Sequence, residues 1–437
     1  MGNTYNYWKN AWQKEKATLL SNPLVALIAL VLITIPLHYR YSNISIMLLI
    51  AYSLVKFKPR NFTFQKALVL PILLYGLMAL SLFWSIDFKE SVHALSKEIA
   101  FILLPLCFLI NPLLTKAEKD KILCYFSYAY FGYTIFYLLK AVFRYSITKD
   151  SSVFFYHELV TFDVNAIHMS VYISVAFFYF FTKKEKNLLD KIAIVLLLFF
   201  LVLLSSKNII IVFLILLFLA SFFYIKIQWN ATKILVLSLV IIIFGFVFYG
   251  KLKDRFLLEI DSDVVQNTNN SIPALVHNVS VTDAWNKEQF QTNDFFAGTA
   301  LRVYQARIFL EMLHEDPIFY SGYGLNATQS KIISKRKQHQ LYEGYDKFNF
   351  HNQYLQFFAE LGILGILLFL LIMAINLKNT IKSKSFVAIS FAFLMISLFL
   401  TESFLSRQRG IVFFIMMYCI FNSKYQSTSN TKEYNPI

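Results

Sequence analysis

The sequence predicts an all-α polytopic membrane protein, with about 12 transmembrane helices and one large loop on the outer side of the membrane. Hydrophobic residues make up 57% of the 437 residues, and the mean hydropathy of +0.54 is higher than soluble domains show. Long apolar runs carry most of this hydrophobicity. The formal net charge of +15 does not indicate a nucleic-acid partner, because Lys and Arg concentrate in connecting segments that a cytoplasmic N-terminus places inside.

Twelve apolar runs are interpreted as membrane spans, although several are shorter than the ~20 residues of a full crossing. They cover residues 23–37, 43–56, 67–84, 98–113, 122–143, 165–182, 191–205, 208–225, 233–250, 353–377, 385–401 and 410–421. With both termini in the cytoplasm, the chain divides into 1–250 with nine spans, the outer loop 251–352, and 353–437 with three spans and a cytoplasmic tail. The first run lacks a small-residue cleavage site, so we interpret it as a retained helix.

The predicted outer loop has two parts of different texture. Residues 261–296 are rich in Asp, Asn, Ser and Thr and show little periodicity, which predicts a loop or insertion. Residues 299–314 carry an apolar stripe at helical spacing, with Thr299 as a plausible N-cap. Asp316 followed by Pro317 is expected to end this helix.

The junction between this loop and the tenth span reads HNQYLQFFAELGILG, from His351 to Gly365. His351 and Asn352 fall where water meets lipid, and helical spacing of apolar residues begins directly after them. Gly362 and Gly365 lie three residues apart. On one helix face they would let another backbone approach closely.

Several cationic and polar side chains fall on the predicted outer face. Lys207 lies in a very short turn between two apolar runs, which holds its charge close to the membrane plane. Arg302 and Arg307 lie five residues apart and diverge by about 140° on a helix, so we expect only one of them to face the membrane. Arg307 is expected to pair with Glu311 at i+4. Other members of this set are His157, His168, Glu402, Arg407 and Arg409.

The predicted spans are nearly free of charge, with Lys140 and Glu98 near span ends as the exceptions. A charge at the centre of a bilayer costs about 2.5–3.5 kcal/mol, so ion-coupled carriers retain such residues only for function. Their scarcity favours chemistry at the outer surface. We predict no metal or cofactor site, because the cysteines lie in apolar runs and Asp261-Ser262-Asp263 lacks the flanking context of a metal site.

The order of these parts resembles the O-antigen ligase and polymerase superfamily of bacterial membrane glycosyltransferases. A cationic outer turn precedes a long outer loop, an Arg opens the loop helix, a G-x-G follows a Pro, and H-N-x9-G-x-x-G comes last. The residues concerned are Lys207, Arg302, Pro317, Gly322, Gly324, His351, Asn352, Gly362 and Gly365. The resemblance covers most of residues 200–370, and Gly322 and Gly324 are interpreted as turn formers.

This resemblance implies a GT-C-type ligase fold and transfer of a glycan from undecaprenyl pyrophosphate to a sugar of lipid A-core, at the periplasmic face of the bacterial inner membrane. His351 would act as general base on the acceptor hydroxyl or orient it. Arg302 would stabilise the pyrophosphate with its planar fork of donors. Family ligases carry a second arginine where this chain has Lys207, so that role would fall to Lys207, Arg407 or Arg409. No cofactor or metal is implied.

Two alternatives remain open. A polymerase of O-antigen or capsule would share the donor chemistry but use a glycan acceptor, and it is expected to tolerate loss of the His351-Asn352 pair better. A lipid-linked glycan transporter is expected to show intramembrane polar residues or broken helices, which this sequence seldom indicates. The partners expected for a ligase are the lipid-linked glycan, lipid A-core and membrane lipids. All of this requires that His351 and Arg302 converge.

Overall fold

The computed structural model describes residues 22–161, 164–225, 263–265 and 275–426. Helices dominate the structure, as predicted for an all-α membrane protein. The helices are α1 (Pro23–Thr34), α2 (Tyr39–Val55), α3 (Lys66–Leu80), α4 (Phe88–Lys97), α5 (Ala100–Ile110), α6 (Lys116–Thr148), α7 (Tyr156–Leu159), α8 (Ala166–Thr182), α9 (Leu188–Leu203), α10 (Lys207–Leu219), α11 (Val281–Asn286), α12 (Gly298–Glu315), α13 (Gln329–Gln338), α14 (Gln353–Ser383), α15 (Phe386–Thr401) and α16 (Gln408–Asn422). The strands are β1 (Asp263–Val265), β2 (Leu275–Asn278) and β3 (Asp294–Phe295).

Eleven of the predicted spans coincide with helices, and the ninth, 233–250, lies outside the described residues. Within the described ranges, five helical segments are long and apolar enough to cross a membrane. They are Lys66–Phe83, Phe88–Ile110, Lys116–Thr148, Lys207–Tyr224 and Gln353–Ser383. Helices α1, α8, α15 and α16 are apolar but shorter.

Side-chain caps start two helices at residues that differ from the starts of the predicted spans. Helix α6 begins with a capping box, in which Thr115 and Glu118 satisfy each other's backbone amides, so it starts six residues before the predicted span 122–143. Asp87 accepts a hydrogen bond from the Glu90 amide and starts α4 as a separate amphipathic helix ahead of α5.

Helices α8 and α16 form the centre of the helical bundle. Nearly every side chain of both helices is buried, and their aromatic rings pack together, with the centroids of Tyr172 and Phe413 4.4 Å apart. Peripheral helices bury only one side. Helix α6, for example, leaves Leu139, Val142 and Phe143 exposed. An outward apolar face of this kind is what a helix in contact with lipid requires.

Residues 275–352 form a domain outside the helical bundle, here called the loop domain, with a hydrophobic core of its own. The core packs α12 against α11, α13 and the surrounding loops. Its buried members include Val279, Phe290, Phe296, Tyr304, Ile308, Phe309, Met312, Ile332 and Phe350. The small sheet beside it pairs β1 with β2 antiparallel and β2 with β3 parallel.

The loop domain confirms part of the sequence interpretation. The helix predicted at 299–314 is α12, which ends at Asp316 in an extended conformation, and Arg307 Nε lies 2.8 Å from Glu311 Oε1 as predicted. The proposed cap was wrong, because α12 begins at Gly298 without a side-chain cap. Residues 261–296 are also more than a loop, since their described parts contain β1, β2, β3 and α11.

Helix α14 is broken at Gly362, whose φ of 65° and ψ of −162° are open almost only to glycine. The prediction that Gly362 and Gly365 share the face of a continuous helix was therefore wrong. A Cβ at Gly362 would lie 2.2 Å from the carbonyl oxygen of Tyr320, whereas a Cβ at Gly365 would lie 2.3 Å from Leu361 Cβ in its own helix.

Main chain from residues 319–324 of the loop domain fills this break. Two of its amides donate to the carbonyl oxygens of Ala359 and Glu360, at 2.8 and 2.9 Å. The Phe319 carbonyl accepts a hydrogen bond from the Ile363 amide at 2.8 Å. These bonds replace helical ones lost at the break, which matters because unpaired backbone groups are costly in an apolar environment.

Gly322 and Gly324 are turn formers, as predicted, and both have positive φ. Their lack of a side chain also lets this turn lie against its neighbours. A Cβ at Gly322 would lie 2.3 Å from the Glu360 carbonyl carbon, and a Cβ at Gly324 would lie 2.5 Å from Ser85 Cβ. The G-x-G element therefore joins the loop domain to the helical bundle.

Gly362→Ala is expected to lower the free energy of unfolding by at least about 1–3 kcal/mol, because its backbone conformation excludes a side chain and the Cβ would meet Tyr320. Gly132→Ala, inside α6 with no atom near the added Cβ, is the matched control and should stabilise the protein by about 0.5–1 kcal/mol. Thermal melts of the purified proteins in detergent check both. An unchanged melting temperature for Gly362→Ala would contradict the account of the break.

Candidate functional site

One carboxylate joins side chains from three distant parts of the chain. Arg302 lies in α12, His351 precedes α14, and Glu402 follows α15. The distance from Arg302 Nη2 to Glu402 Oε1 is 2.7 Å, and the distance from His351 Nδ1 to Glu402 Oε2 is 3.2 Å. The structure thus brings Arg302 and His351 together on a single acidic residue.

Backbone carbonyls fix the guanidinium of Arg302. Its Nε donates to the Thr401 carbonyl at 2.7 Å, and its Nη1 donates to the Gly298 carbonyl at 2.8 Å. With the bond to Glu402, three of the five N–H donors of Arg302 are engaged. The charge is therefore held in one orientation with two donors left over.

The backbone of His351 is held in the left-handed region, with φ of 48°. Its amide donates to Asn349 Oδ1 at 3.0 Å, and its ring lies 5.5 Å from the ring of Phe348, centroid to centroid. A non-glycine residue in this region is uncommon and depends on local hydrogen bonding. This conformation sets the direction in which the imidazole leaves the chain.

Asn352 has the structural role that its position at a helix start suggests. Its Oδ1 accepts from the amides of Tyr354 and Leu355 at 3.0 and 3.1 Å and caps α14. Its Nδ2 donates to the Leu400 carbonyl at 3.1 Å. Asn352 therefore ties the start of α14, next to His351, to the end of α15, next to Glu402.

A cavity of about 520 Å³ lies between the loop domain and the helical bundle. Its lining includes Arg302, His351, Glu402 and a second cation, Arg407. The other lining residues are Tyr156, His157, Asn165, Ile167, Gly298, Leu301 and Phe348. The volume falls in the range of small-molecule sites, and the mixture of aromatic, amide and charged groups suits a polar ligand.

Glu402 is ionised in this arrangement. Burial raises the pKa of its carboxyl, but the hydrogen bond and charge of His351 and the charge of Arg302 outweigh burial and hold that pKa below its usual range. An ionised carboxylate only accepts hydrogen bonds, so Nδ1 of His351 must carry the proton that joins them. In the neutral imidazole, Nε2 is then the nitrogen with a free lone pair.

The other two cations predicted to bind the donor pyrophosphate, Lys207 and Arg409, do not line the cavity. Lys207 begins α10 and is not among the residues that line the cavity, but Nδ2 of its neighbour Asn208 donates to Thr401 Oγ1 at 2.8 Å. Arg409 donates from Nη2 to the Leu37 carbonyl at 2.8 Å, at the connection between α1 and α2. Of the two arginines that follow α15, Arg407 lines the cavity and Arg409 does not.

Sequence reasoning placed Glu402 on the outer face but gave it no role. The available signal was an acidic residue at the end of an apolar span that is followed by two arginines. Sequence reasoning also passed over Glu360, which lies inside the span predicted at 353–377 and is buried. The statement that the spans hold almost no charge was wrong at this position.

The helices are suited to a membrane, and a loop domain is docked on a broken helix. A histidine and arginines surround one cavity between these two parts. The structure is therefore that of a membrane protein with a cationic, polar site between its loop domain and its helical bundle. The family model described as O-antigen ligase matches residues 192–370, which include α10, α12, the G-x-G turn and the start of α14. Over this region the chain is similar to the O-antigen ligase family, in agreement with the resemblance seen in the sequence. No curated protein matches the chain.

Glu402→Gln is expected to lower the free energy of unfolding by about 1–3 kcal/mol at neutral pH, since it removes the charge that pairs with Arg302 and His351. A carboxyl whose pKa is depressed in the folded state contributes stability above its unfolded pKa, about 4.3, and loses it as pH falls through the folded pKa. The difference between wild type and variant should therefore shrink below about pH 4.

Melting temperatures in detergent across this pH range measure the effect. Glu343→Gln, at an exposed glutamate of the loop domain, is the control and should differ little from wild type at any pH. A gap between wild type and Glu402→Gln that does not depend on pH would contradict the assignment of an ionised, paired carboxylate.

Proposed function

We propose that this protein is an O-antigen ligase, which transfers polysaccharide from undecaprenyl pyrophosphate to a sugar hydroxyl of lipid A-core at the periplasmic face of the bacterial inner membrane. The observation that carries the proposal is the meeting of His351 and Arg302 on Glu402, in the wall of one cavity. The match of residues 192–370 to the O-antigen ligase family supports the same reaction class. The twelve-span, GT-C-type architecture belongs to this proposal.

The acceptor half of the reaction would use His351. Its Nε2 takes the proton of the acceptor hydroxyl while the hydroxyl oxygen forms a bond to the anomeric carbon of the donor. The proton on Nδ1 stays in the hydrogen bond to Glu402, whose negative charge stabilises the imidazolium that forms. Glu402 thus positions and supports the base without touching the substrate.

The donor half would use the arginines. As the bond between the anomeric carbon and the phosphate oxygen breaks, undecaprenyl pyrophosphate leaves with the electron pair, and its growing negative charge needs fixed cations. Arg302 has two N–H donors left for phosphate oxygens, and Arg407 supplies a second charge on the cavity wall. Lys207 remains a proposed further phosphate contact, whereas Arg409, bound to the Leu37 carbonyl, is the weaker candidate.

His351→Ala is expected to abolish the attachment of O-antigen to lipid A-core, because a general base contributes about 10²–10⁴-fold to the rate. The test is a deletion strain of the native bacterium, complemented with wild type or variant and examined on a lipopolysaccharide gel. Loss of ligase predicts bare core and long glycan retained on undecaprenyl pyrophosphate. His314→Ala, at an exposed histidine near the end of α12, is the matched control and should restore the ladder.

The same gel separates the competing proposals. Core that carries a single repeat unit in the deletion strain would indicate a polymerase instead of a ligase. A normal ladder with His351→Ala would contradict the base assigned here. A transporter needs a separate measurement of sidedness, in which lipid-linked glycan that is inaccessible to a probe added outside the inner membrane would indicate one.

Arg302→Lys is expected to reduce the initial rate of transfer by about 10–10³-fold. Lysine keeps the positive charge but lacks the planar guanidinium. It therefore cannot bind Thr401, Gly298 and Glu402 and still donate to the phosphate. Purified protein with a lipid-linked donor measures this rate. Arg307→Lys, five residues along the same helix and paired to Glu311, should leave it nearly unchanged. Equal effects of the two substitutions would contradict a role for Arg302 in the site.

A further inference from the structure

A second, smaller cavity of about 30 Å³ lies next to the broken helix and takes no part in the proposed transfer. Besides Asn326 and Gln353, three of its lining side chains carry carboxylate or amide oxygens: Glu98 from the connection between α4 and α5, and Gln356 and Glu360 from α14. All three residues are more than nine-tenths buried, with 7%, 3% and 4% exposure respectively. The volume has room for one ion or one to two waters.

Two oxygen atoms of these residues have no hydrogen-bond partner. They are Oε2 of Glu98 and Oε1 of Gln356, and both are inaccessible to solvent. Nε2 of Gln356 donates to Glu360 Oε1 at 2.5 Å and lies 3.4 Å from Thr328 Oγ1, so Oε1 is the amide atom without a partner. Buried oxygens without partners are rare and require an explanation.

The charges at this cavity do not balance. Glu98 and Glu360 place two carboxyl groups beside one small volume, and among its lining residues the only basic side chain is Lys97, which is exposed. Two buried carboxylates near each other are strongly unfavourable without a compensating positive charge. Carboxylate and amide oxygens are the ligands that hard cations such as Ca²⁺ prefer, at 2.3–2.6 Å for that ion.

We infer that this cavity binds one hard cation, Ca²⁺ or Na⁺, through oxygens of Glu98, Gln356 and Glu360. The ion would satisfy both unpartnered oxygens and neutralise the carboxylates. It would join the start of α5 to α14 just before the break at Gly362. Gln353, also in the lining, accepts from the Leu405 amide at 2.8 Å, which connects the same place to the turn after Glu402.

Thermal stability tests the site without reference to transferase activity. The full-length protein in detergent, freed of divalent ions with a chelator, is melted in CaCl₂, NaCl or MgCl₂ series, with choline chloride holding the ionic strength constant. A saturable rise of several degrees in melting temperature with Ca²⁺ or Na⁺ is expected. The ion that produces it identifies the ligand, and Mg²⁺ should be the weaker divalent because it sheds water reluctantly.

Glu98→Gln should remove the rise, whereas Glu90→Gln, at an exposed position of α4, should retain it. No saturable rise with any of these salts, or an equal rise in Glu98→Gln, would overturn the inference. Should Glu98→Gln fail to fold, calorimetric titration of the wild type decides, since the inference requires one Ca²⁺ or Na⁺ per chain and falls if no heat of binding is found. Gln356→Met, which keeps the side-chain length without the oxygen, should weaken binding in the same titration.

Discussion

The site depends on the compensation of one largely buried negative charge. Glu402 is 13% exposed, so its carboxylate cannot rely on water, and the structure supplies Arg302 and His351 in its place. Both partners come from the loop domain or its junction with α14, while Glu402 follows a helix of the bundle. The Arg302–Glu402 ion pair and the His351–Glu402 hydrogen bond therefore position the guanidinium and the imidazole, and they also hold the loop domain in place over the helices. The interactions that set the geometry of the site are therefore the same ones that stabilise the docking of the loop domain.

The broken helix is the second element of this docking. At Gly362 the helix gives up backbone hydrogen bonds, and the turn around Gly322 supplies replacements from the loop domain. Irregular backbone at the edge of an apolar region is stable only where protein groups pair it. The break and the turn therefore require each other, and this one contact accounts for the glycines at positions 322 and 362.

Local patterns in the sequence predicted much of this fold. Apolar runs located the helices, and the i, i+4 spacing predicted the Arg307–Glu311 pair, because both effects act within a few residues. The break at Gly362 was not predictable, since the spacing of two glycines does not reveal backbone torsions. The role of Glu402 was hidden for another reason: its partners are 51 and 100 residues away in the chain, and pairing over such distances follows from tertiary packing alone. The resemblance to a family brought Arg302 and His351 forward, but it did not name the acid between them.

The contact between the turn at 319–324 and α14 is made by main-chain atoms. Amides and carbonyls are common to nearly all amino acids, so these hydrogen bonds do not depend on which side chains the turn carries. Side chains add to the contact at Phe319, whose ring centroid lies 5.8 Å from that of Phe358 in α14. Substitutions can therefore accumulate on the surface around this contact while the contact itself persists. The exposed surface of the loop domain can therefore change in sequence without any change in the contact that holds the domain on α14.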